Sequence, residues 1–379
     1  EGKLVEREGE GLTMVGRGAV NQKGPEMAFL AAIKAIQASG KKLPVNLVLV
    51  AEGEEEVAST HFDQVVAVPE VREALSRSIG VFIPSAAQSE DGSANITLGA
   101  KGAVEFQLVV GGETSDKYPK TDIHSSNHAR IENPAWRLVK ALDTLVADDG
   151  HTPAIDGWFE NVRPLTERQK QLIAEGAKMN PEQAEKDLLG VGRWIDDEPY
   201  VTSLERFYSQ PTVNIQGLVA GYTGTGGKTV LPGRAEAKLE FRLVPAMTKD
   251  EAVSKLKAHL AKRGFDDVQV TVSGGYGPNE TDEDSVLIRA QKALFEKDGI
   301  PYSIRPRNAG SWPGVIFNGP PLNLPASQFG LSRGGGAHAP NEWFLIDSSD
   351  PKVNGLDEAT MAYVDYLYVI SEEAAKTAQ

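Results

Sequence analysis

Glu52, Glu54, Glu55 and Glu56 crowd the stretch EGEEEVAS, directly after the apolar run VNLVLVA, Val45–Ala51. Carboxylates packed this closely repel one another, and the repulsion must be offset by a bound cation or by raised pKa values. The first outcome makes a metal ligand set and the second makes a general acid or base. The competing reading is a solvated acidic loop ahead of a helix, where glutamates favour the macrodipole. His338 lies in GGGAHAPNE, on a glycine-rich turn with Pro340, Asn341 and Glu342 behind it. Such an imidazole suits a metal ligand or a proton carrier, against the alternative of an exposed loop histidine. His124 and His128, in DIHSSNHARIENP, have the spacing of a metal pair on one helical face, but the helix signal starts only near Pro134, so a surface loop is the default. GYTGTGGKT, Gly221–Thr229, looks like a phosphate loop and fails on count: Tyr222 stands where that loop needs glycine, with Gly221 one place early. It reads as a flexible turn between strands. No GxSxG is present, so a serine hydrolase of the common α/β type has no support.

Elements must hold these groups. The glycine-rich stretch Met14–Gly24 feeds a helix over Pro25–Ser39, with Pro25 in its first turn and Gly40 as its stop. Val45–Ala51 has the pattern of a strand buried on both faces, with the acidic cluster at its carboxyl end. A helical stretch near Pro69–Arg77 and a second apolar run, Gly80–Ile83, repeat the alternation of an α/β sheet, whose ligands sit beyond the carboxyl ends of the strands. From Ala94 the texture changes. ANITLGAKGAVEFQLVV reads as a hairpin, a helix follows over Asn133–Val146, and Ala235–Val244 and Val268–Val272 alternate again. Residues 151–210 are polar and helix-prone, and an amphipathic helix closes the chain at Leu356–Ala375. The expected architecture is a three-layer α/β/α domain made of residues 1–100 and 277–379, interrupted by an α+β insertion at 101–276.

With 379 residues against about 100–200 per domain, two domains or one domain carrying an insertion are expected. Apolar residues at 40% and charged residues at 24% are ordinary globular usage, enough for a sizeable core. The charge sum of 39 minus 53, or −14, is dispersed along the chain and disfavours nucleic-acid partners, which need a basic face. With no cysteine, disulfides, thiolate metal sites and cysteine nucleophiles are excluded; this fits a reducing compartment, and the expected location is cytoplasmic. No apolar run approaches the roughly 18–20 residues of a membrane span, and the polar start Glu1–Gly11 is no signal peptide. The chain begins without methionine, so an upstream piece that was cleaved, removed or left out is expected.

Taken together, GRGAVNQKGP (Gly16–Pro25), EGEEEVAS (Glu52–Ser59), DIHSSNHARIENPAW (Asp122–Trp136), VLPGRAEAKLEFRLVP (Val230–Pro245) and GAHAPNE (Gly336–Glu342) resemble, in order and spacing, the M20 family of co-catalytic zinc peptidases and deacylases. That family includes carnosinase-like dipeptidases, acetylornithine deacetylase and succinyl-diaminopimelate desuccinylase. The resemblance runs from about Gly16 to the C-terminus and implies a catalytic α/β domain interrupted by a lid and dimerisation domain. It implies Glu56 as a metal ligand and Glu55 as the base that takes a proton from metal-bound water and passes it to the leaving amine. It places the C-terminal histidine ligand at His338. His124 corresponds to a lid histidine that, in dimeric members, reaches the neighbouring subunit's site and stabilises the tetrahedral oxyanion. Arg242 matches an arginine used for the substrate carboxylate, with a strand arginine paired inside the lid as the alternative. Asn214, Gly310 and Ser311 follow as substrate contacts.

The sequence departs from the pattern at metal positions. Asn21 stands where a bridging carboxylate is expected, and Ser85, in IPSAAQ, where an aspartate is expected. A histidine two residues before an aspartate would lie upstream of Glu1; His61 and Asp63, in THFD, imitate that spacing by coincidence. Glu56 and His338 alone fall below the three protein ligands of a typical catalytic zinc site. The expected site therefore holds at most one divalent ion, zinc foremost, completed by Glu55, water or an upstream residue, or it holds none. The expected protein is a hydrolase cleaving an amide bond in a short peptide or N-acyl amino acid that carries a carboxylate. The alternative is a catalytically silent or metal-independent ligand-binding relative. A homodimer is expected, together with an N-terminal segment that is missing or present as a separate fragment; no nucleic acid and no membrane is expected as partner.

Overall fold

The computed structural model describes residues 1–377. Strands β1 (Lys3–Arg7) and β2 (Gly11–Val15) form a hairpin. A turn then leads into α1 (Gly24–Ala38), whose Pro25 sits in the first turn, where an N–H has no helical partner to lose. Next come α2 (Phe62–Ala67), α3 (Pro69–Ser76), β3 (Val81–Pro84), β4 (Ala94–Thr97) and β5 (Gly99–Ala100). The middle of the chain contributes β6 (Gly102–Gly111), β7 (Ile123–His124), α4 (Pro134–Asp143), α5 (Glu167–Met179), α6 (Glu182–Leu189) and α7 (Tyr200–Ser209). It continues with β8 (Thr212–Ala220), β9 (Val230–Leu231), β10 (Arg234–Leu243), α8 (Lys249–Lys262) and β11 (Gln269–Tyr276). The last stretch holds β12 (Asn279–Glu280), α9 (Val286–Asp298), β13 (Tyr302–Arg305), α10 (Val315–Asn318), β14 (Ala326–Phe329), β15 (Gly334–Gly335), β16 (Trp343–Ser348) and α11 (Leu356–Thr377).

Both ends of the chain build one α/β layer structure. β3 pairs in parallel with β14, and β4 in parallel with β13. Against one face lie α1, α9 and α11, whose Phe29, Leu294, Tyr363 and Tyr366 pack on Ile96 and Phe329. Against the other lie α2, α3 and α10, whose Phe62, Val66, Leu75 and Phe317 pack on Ala326, Val81 and Ile83. This is the expected three-layer arrangement. Beside it, β1, β2, β16 and β15 form an antiparallel sheet that joins the first and last parts of the chain.

The inserted part is an antiparallel sheet in the order β11-β6-β10-β8. Its inner face carries Phe106, Leu108, Leu239 and Phe241 against Leu138 and Leu142 of α4 and Leu256 and Leu260 of α8. Along β10, burial alternates residue by residue, so the period-two geometry of a strand puts Ala237, Leu239 and Phe241 inside and Glu240 and Arg242 on the opposite face. Among the described residues no helix is long and apolar enough to cross a membrane.

Two local readings are corrected. Val45–Ala51 is not a doubly buried strand: it joins no sheet, and Leu47, Val48 and Leu49 are 37%, 45% and 75% exposed. Apolar composition reports a demand for burial, but a strand forms only where a neighbouring backbone offers ladder partners, and no described residue pairs with this segment. Residues 94–110 are not a hairpin either. β4 goes to β13, β5 to β12, and β6 into the inserted sheet. The chain can switch sheets here because glycines let two segments pass closely: a Cβ on Gly99 would fall 2.2 Å from the Asn279 carbonyl oxygen, and one on Gly102 2.6 Å from the Pro278 nitrogen.

Candidate active site

The turn between β2 and α1 is shaped by a carboxylate from the far end of the chain. Glu342, 1% exposed just ahead of β16, accepts N–H donation from Gly18 at 2.7 Å, Val20 at 2.9 Å and Asn21 at 2.8 Å, and from the Arg17 guanidinium at 3.1 Å. Successive backbone N–H groups pointing inward make an anion nest. Burial pushes the Glu342 carboxyl up, but the donations from Asn21, Gly18 and Val20 outweigh it and leave its pKa lowered.

The same turn presents the Asn21 side chain to Glu56 and His338. Its Nδ2 lies 2.7 Å from Glu56 Oε1 and 3.0 Å from His338 Nε2, and Glu56 Oε2 lies 3.2 Å from that imidazole nitrogen. Glu56 sits on the short helical turn Glu55–Val57, and His338 on the loop between β15 and β16 at a φ of 63°. An ionised carboxylate only accepts hydrogen bonds, so the Asn21 atom facing Glu56 must be the amide nitrogen.

The acidic cluster resolves into separate tasks. Glu54 pairs with His61 at 2.8 Å, so the THFD histidine serves a local hydrogen bond. Glu52 accepts the Ser59 hydroxyl at 2.8 Å on one oxygen while the other is buried without a partner, and burial raises its pKa. Glu55 accepts the Tyr276 hydroxyl on Oε1 at 3.4 Å. Crowding by protein raises the Glu55 pKa, and the charge of Glu56 adds to the effect. Ser311 lies beside the same tyrosine hydroxyl. It accepts Arg242 Nη1 at 2.7 Å, while Glu240 holds the Nε side of that guanidinium at 2.6 Å. Two contacts, Tyr276 to Glu55 and Arg242 to Ser311, thus tie the α/β layers to the outer face of the inserted sheet.

The remaining candidates lie apart from these contacts. His124 ends β7, is exposed, and bonds through Nδ1 to the Ser126 hydroxyl at 2.8 Å; among the described residues no hydrogen bond joins it to Glu55, Glu56 or His338. Asn214 is exposed on β8, opposite Glu240 in register. The Gly310 N–H donates to Asn308 Oδ1 at 3.0 Å, next to Ser311. Ser85 follows β3 with its Oγ buried and unpartnered, and the Gln22 amide donates to the Pro84 carbonyl beside it. Two groups at the site escape sequence reasoning. Glu342 stands inside the GAHAPNE stretch, but its partners are more than 300 residues earlier. Tyr276 closes β11 behind two glycines and carries no local signal.

The sequence pattern of peptidase family M20/M25/M40 matches residues 2–362 of this chain. The chain belongs to the M20 peptidase family. It is similar to the Beta-Ala-His dipeptidase of Rattus norvegicus, 30% identical over 250 residues that cover 65% of this chain and 48% of that one. It is also similar to the Cys-Gly metallodipeptidase dug1 of Schizosaccharomyces pombe, at 29% identity over 66% of this chain and 50% of the relative. The chain thus spans about half the length of these relatives. Among solved structures, the M20 family metallo-carboxypeptidase Sso-CP2 from Sulfolobus solfataricus superposes with a TM-score of 0.83 at 30% identity, covering 97% of this chain and 79% of that chain.

Names such as metallodipeptidase and metallo-carboxypeptidase imply a divalent metal for the M20 family. The donor set here does not fit one. Among the described residues no group of three or more His, Asp or Glu side chains is placed to hold a metal ion. Glu56 and His338 converge, but the third group at their meeting point is a neutral amide that directs N–H, not a lone pair, toward them. A cation needs lone pairs from every ligand.

Proposed function

We propose that this M20 chain hydrolyses an amide bond in a short peptide or N-acyl amino acid bearing a free carboxylate, with Glu55 as general base. The observation that carries the reading is a pair of contacts, Tyr276 on Glu55 and Arg242 on Ser311, which fix a carboxylate and a guanidinium at the meeting of the α/β layers and the inserted sheet. Tyr276 occupies Oε1 of Glu55, which leaves Oε2 to take a proton from water and carry it to the leaving amine. Glu240 engages Nε and Nη2 of Arg242, so a substrate carboxylate meets the Nη1 edge beside Ser311 and Gly310. Asn214 is the further substrate contact in this reading. The expectation of at most one divalent ion, zinc foremost, on Glu56 and His338 narrows in this reading to none, because Asn21 turns N–H groups toward both, and no step is assigned to a metal. A screen of dipeptides and N-acyl amino acids tests the activity, and Glu55→Gln tests the base. The variant should lose about 10²–10⁴-fold in kcat while still binding substrate. Unchanged turnover in Glu55→Gln would overturn the assignment.

The Asn21 contacts favour a second reading, a ligand-binding relative that is catalytically silent or independent of metal. A carboxylate ligand that raises the melting temperature and is never cleaved would select it. In either case we place the joins of the two domains at Lys101 and Gly277, where β5 and β12 pair beside the crossing segments. A homodimer through the inserted sheet is part of the proposal, with His124 serving the partner's site. It is supported by the edge strand β8, where Ile215, Leu218 and Val219 are exposed at the end of the sheet. A separate N-terminal fragment would find ladder partners at the unpaired Val45–Ala51 segment. The absence of cysteine supports a cytoplasmic setting.

A further inference from the structure

We infer that the Asn21 amide is a hydrogen-bonded lock that takes the place of a cation between Glu56 and His338. Three side chains from three separate loops meet here, Asn21 being 35 residues from Glu56 and 317 from His338 in sequence. The distances of 2.7 Å and 3.0 Å from Asn21 Nδ2 are hydrogen-bond distances. Ligand atoms around a tetrahedral zinc ion, bound at about 2.0–2.1 Å, stand about 3.3 Å or more apart. An ion could enter only if these groups spread and the amide turned.

Neither change is free. Turning Oδ1 toward Glu56 before an ion arrives would set a lone pair against an acceptor-only carboxylate. Withdrawing the side chain strains a turn whose Gly18, Val20 and Asn21 N–H groups are all held by the buried Glu342. Charge points the same way. Of the three groups that meet here only Glu56 is a carboxylate, and Ser85 offers a neutral hydroxyl whose Oγ is already enclosed. The lock therefore holds the Glu56 and His338 loops in register by hydrogen bonds, the task a shared ion performs in a metal centre.

A single change should convert the lock into a metal site. Asn21→Asp removes both N–H donors and places a carboxylate where the amide stood. Two carboxylates and an imidazole would then converge, a three-ligand set with an open fourth position. Without an ion the new carboxylate repels Glu56, so the variant should depend on metal for its stability.

The test is zinc binding to the chelator-treated 379-residue chain, read by calorimetric titration, elemental analysis and melting temperature. The wild-type chain should bind no stoichiometric zinc and melt at the same temperature with chelator or with zinc. Asn21→Asp should bind one zinc ion per chain with a gain on the order of 100-fold in affinity. Its melting temperature should fall in chelator and recover with zinc, and Asn21→Asp combined with His338→Ala should lose the gain. Tight stoichiometric zinc on the wild type would overturn the inference, and that measurement needs no variant to fold. A folded Asn21→Asp protein that gains no zinc would overturn it too. The inference shares its site with the hydrolase reading, but the two fail separately, because zinc stoichiometry is read whether or not any peptide is cleaved.

Discussion

Lys101 is 3% exposed at the crossing between β5 and β6, and its amine donates to the Gln210 carbonyl at 2.7 Å. Among the described residues no carboxylate pairs with it, and burial, with the Arg307 and Arg242 charges nearby, lowers its pKa to about 7. The native pKa thus lies below the unfolded value of about 10.4. Between those two values the unfolded chain binds a proton that the native chain does not, so stability rises as pH rises through this window. At and below neutral pH the native state bears the cost of the buried charge. Lys101→Met should therefore stabilise the protein by roughly 2–4 kcal/mol at pH 7, with the gain shrinking toward zero near pH 10. Urea midpoints at the two pH values check this; a gain that does not change with pH would contradict it. The same residue scale underlies the substrate role proposed for Arg242. Alternation along β10 sends it away from the apolar core, and only one of its two edges is taken by Glu240.

At the scale of elements, the turn between β2 and α1 and the loop ahead of β16 act as one unit, because Glu342 from the second caps the amides of the first. Removing a buried acceptor leaves its donors unsatisfied, at about 1–3 kcal/mol each for groups that water cannot reach. Glu342→Ala should destabilise the protein by about 3 kcal/mol, and hydrogen exchange at Gly18, Val20 and Asn21 should accelerate more than elsewhere. Equal protection of those amides in the variant would show that the nest does not hold the turn. The Val45–Ala51 segment is the opposite case: its residues suit a strand, but the ladder it would join has no member beside it, and Leu49 faces solvent at 75% exposure.

For the whole molecule, the inserted sheet ends in β8, whose exposed Ile215, Leu218 and Val219 suit pairing with a second copy. The proposed dimer makes a specific prediction about shared sites. Mixing His124→Ala with Glu55→Gln subunits at equal, random exchange should restore roughly a quarter of wild-type turnover, since about half of the dimers are mixed and each has one complete site. Native mass spectrometry would confirm exchange, and no recovery after confirmed exchange would exclude a shared His124. Leu218→Lys, which places a charge on the exposed edge, should shift the sedimentation profile toward monomer.

Much of this protein was legible from residue types and their near neighbours. The alternation in Ala235–Val244, the helix punctuation around Pro25 and the long amphipathic C-terminal stretch all became the expected elements, because period and capping are properties of adjacent residues. That Asn21 and Ser85 stand where the family resemblance expects carboxylates was also readable in the sequence. What Asn21 does was not. Its contacts join loops 35 and 317 residues away, and Glu342 reaches back across a comparable span. Tertiary structure alone decided that Asn21 bridges Glu56 and His338, that Tyr276 touches Glu55, that residues 94–110 cross between sheets, and that Val45–Ala51 finds no ladder. The physical reason is common to all four. A side chain's type and the local period set what it needs, but whether a partner meets that need depends on where distant, separately formed elements come to rest.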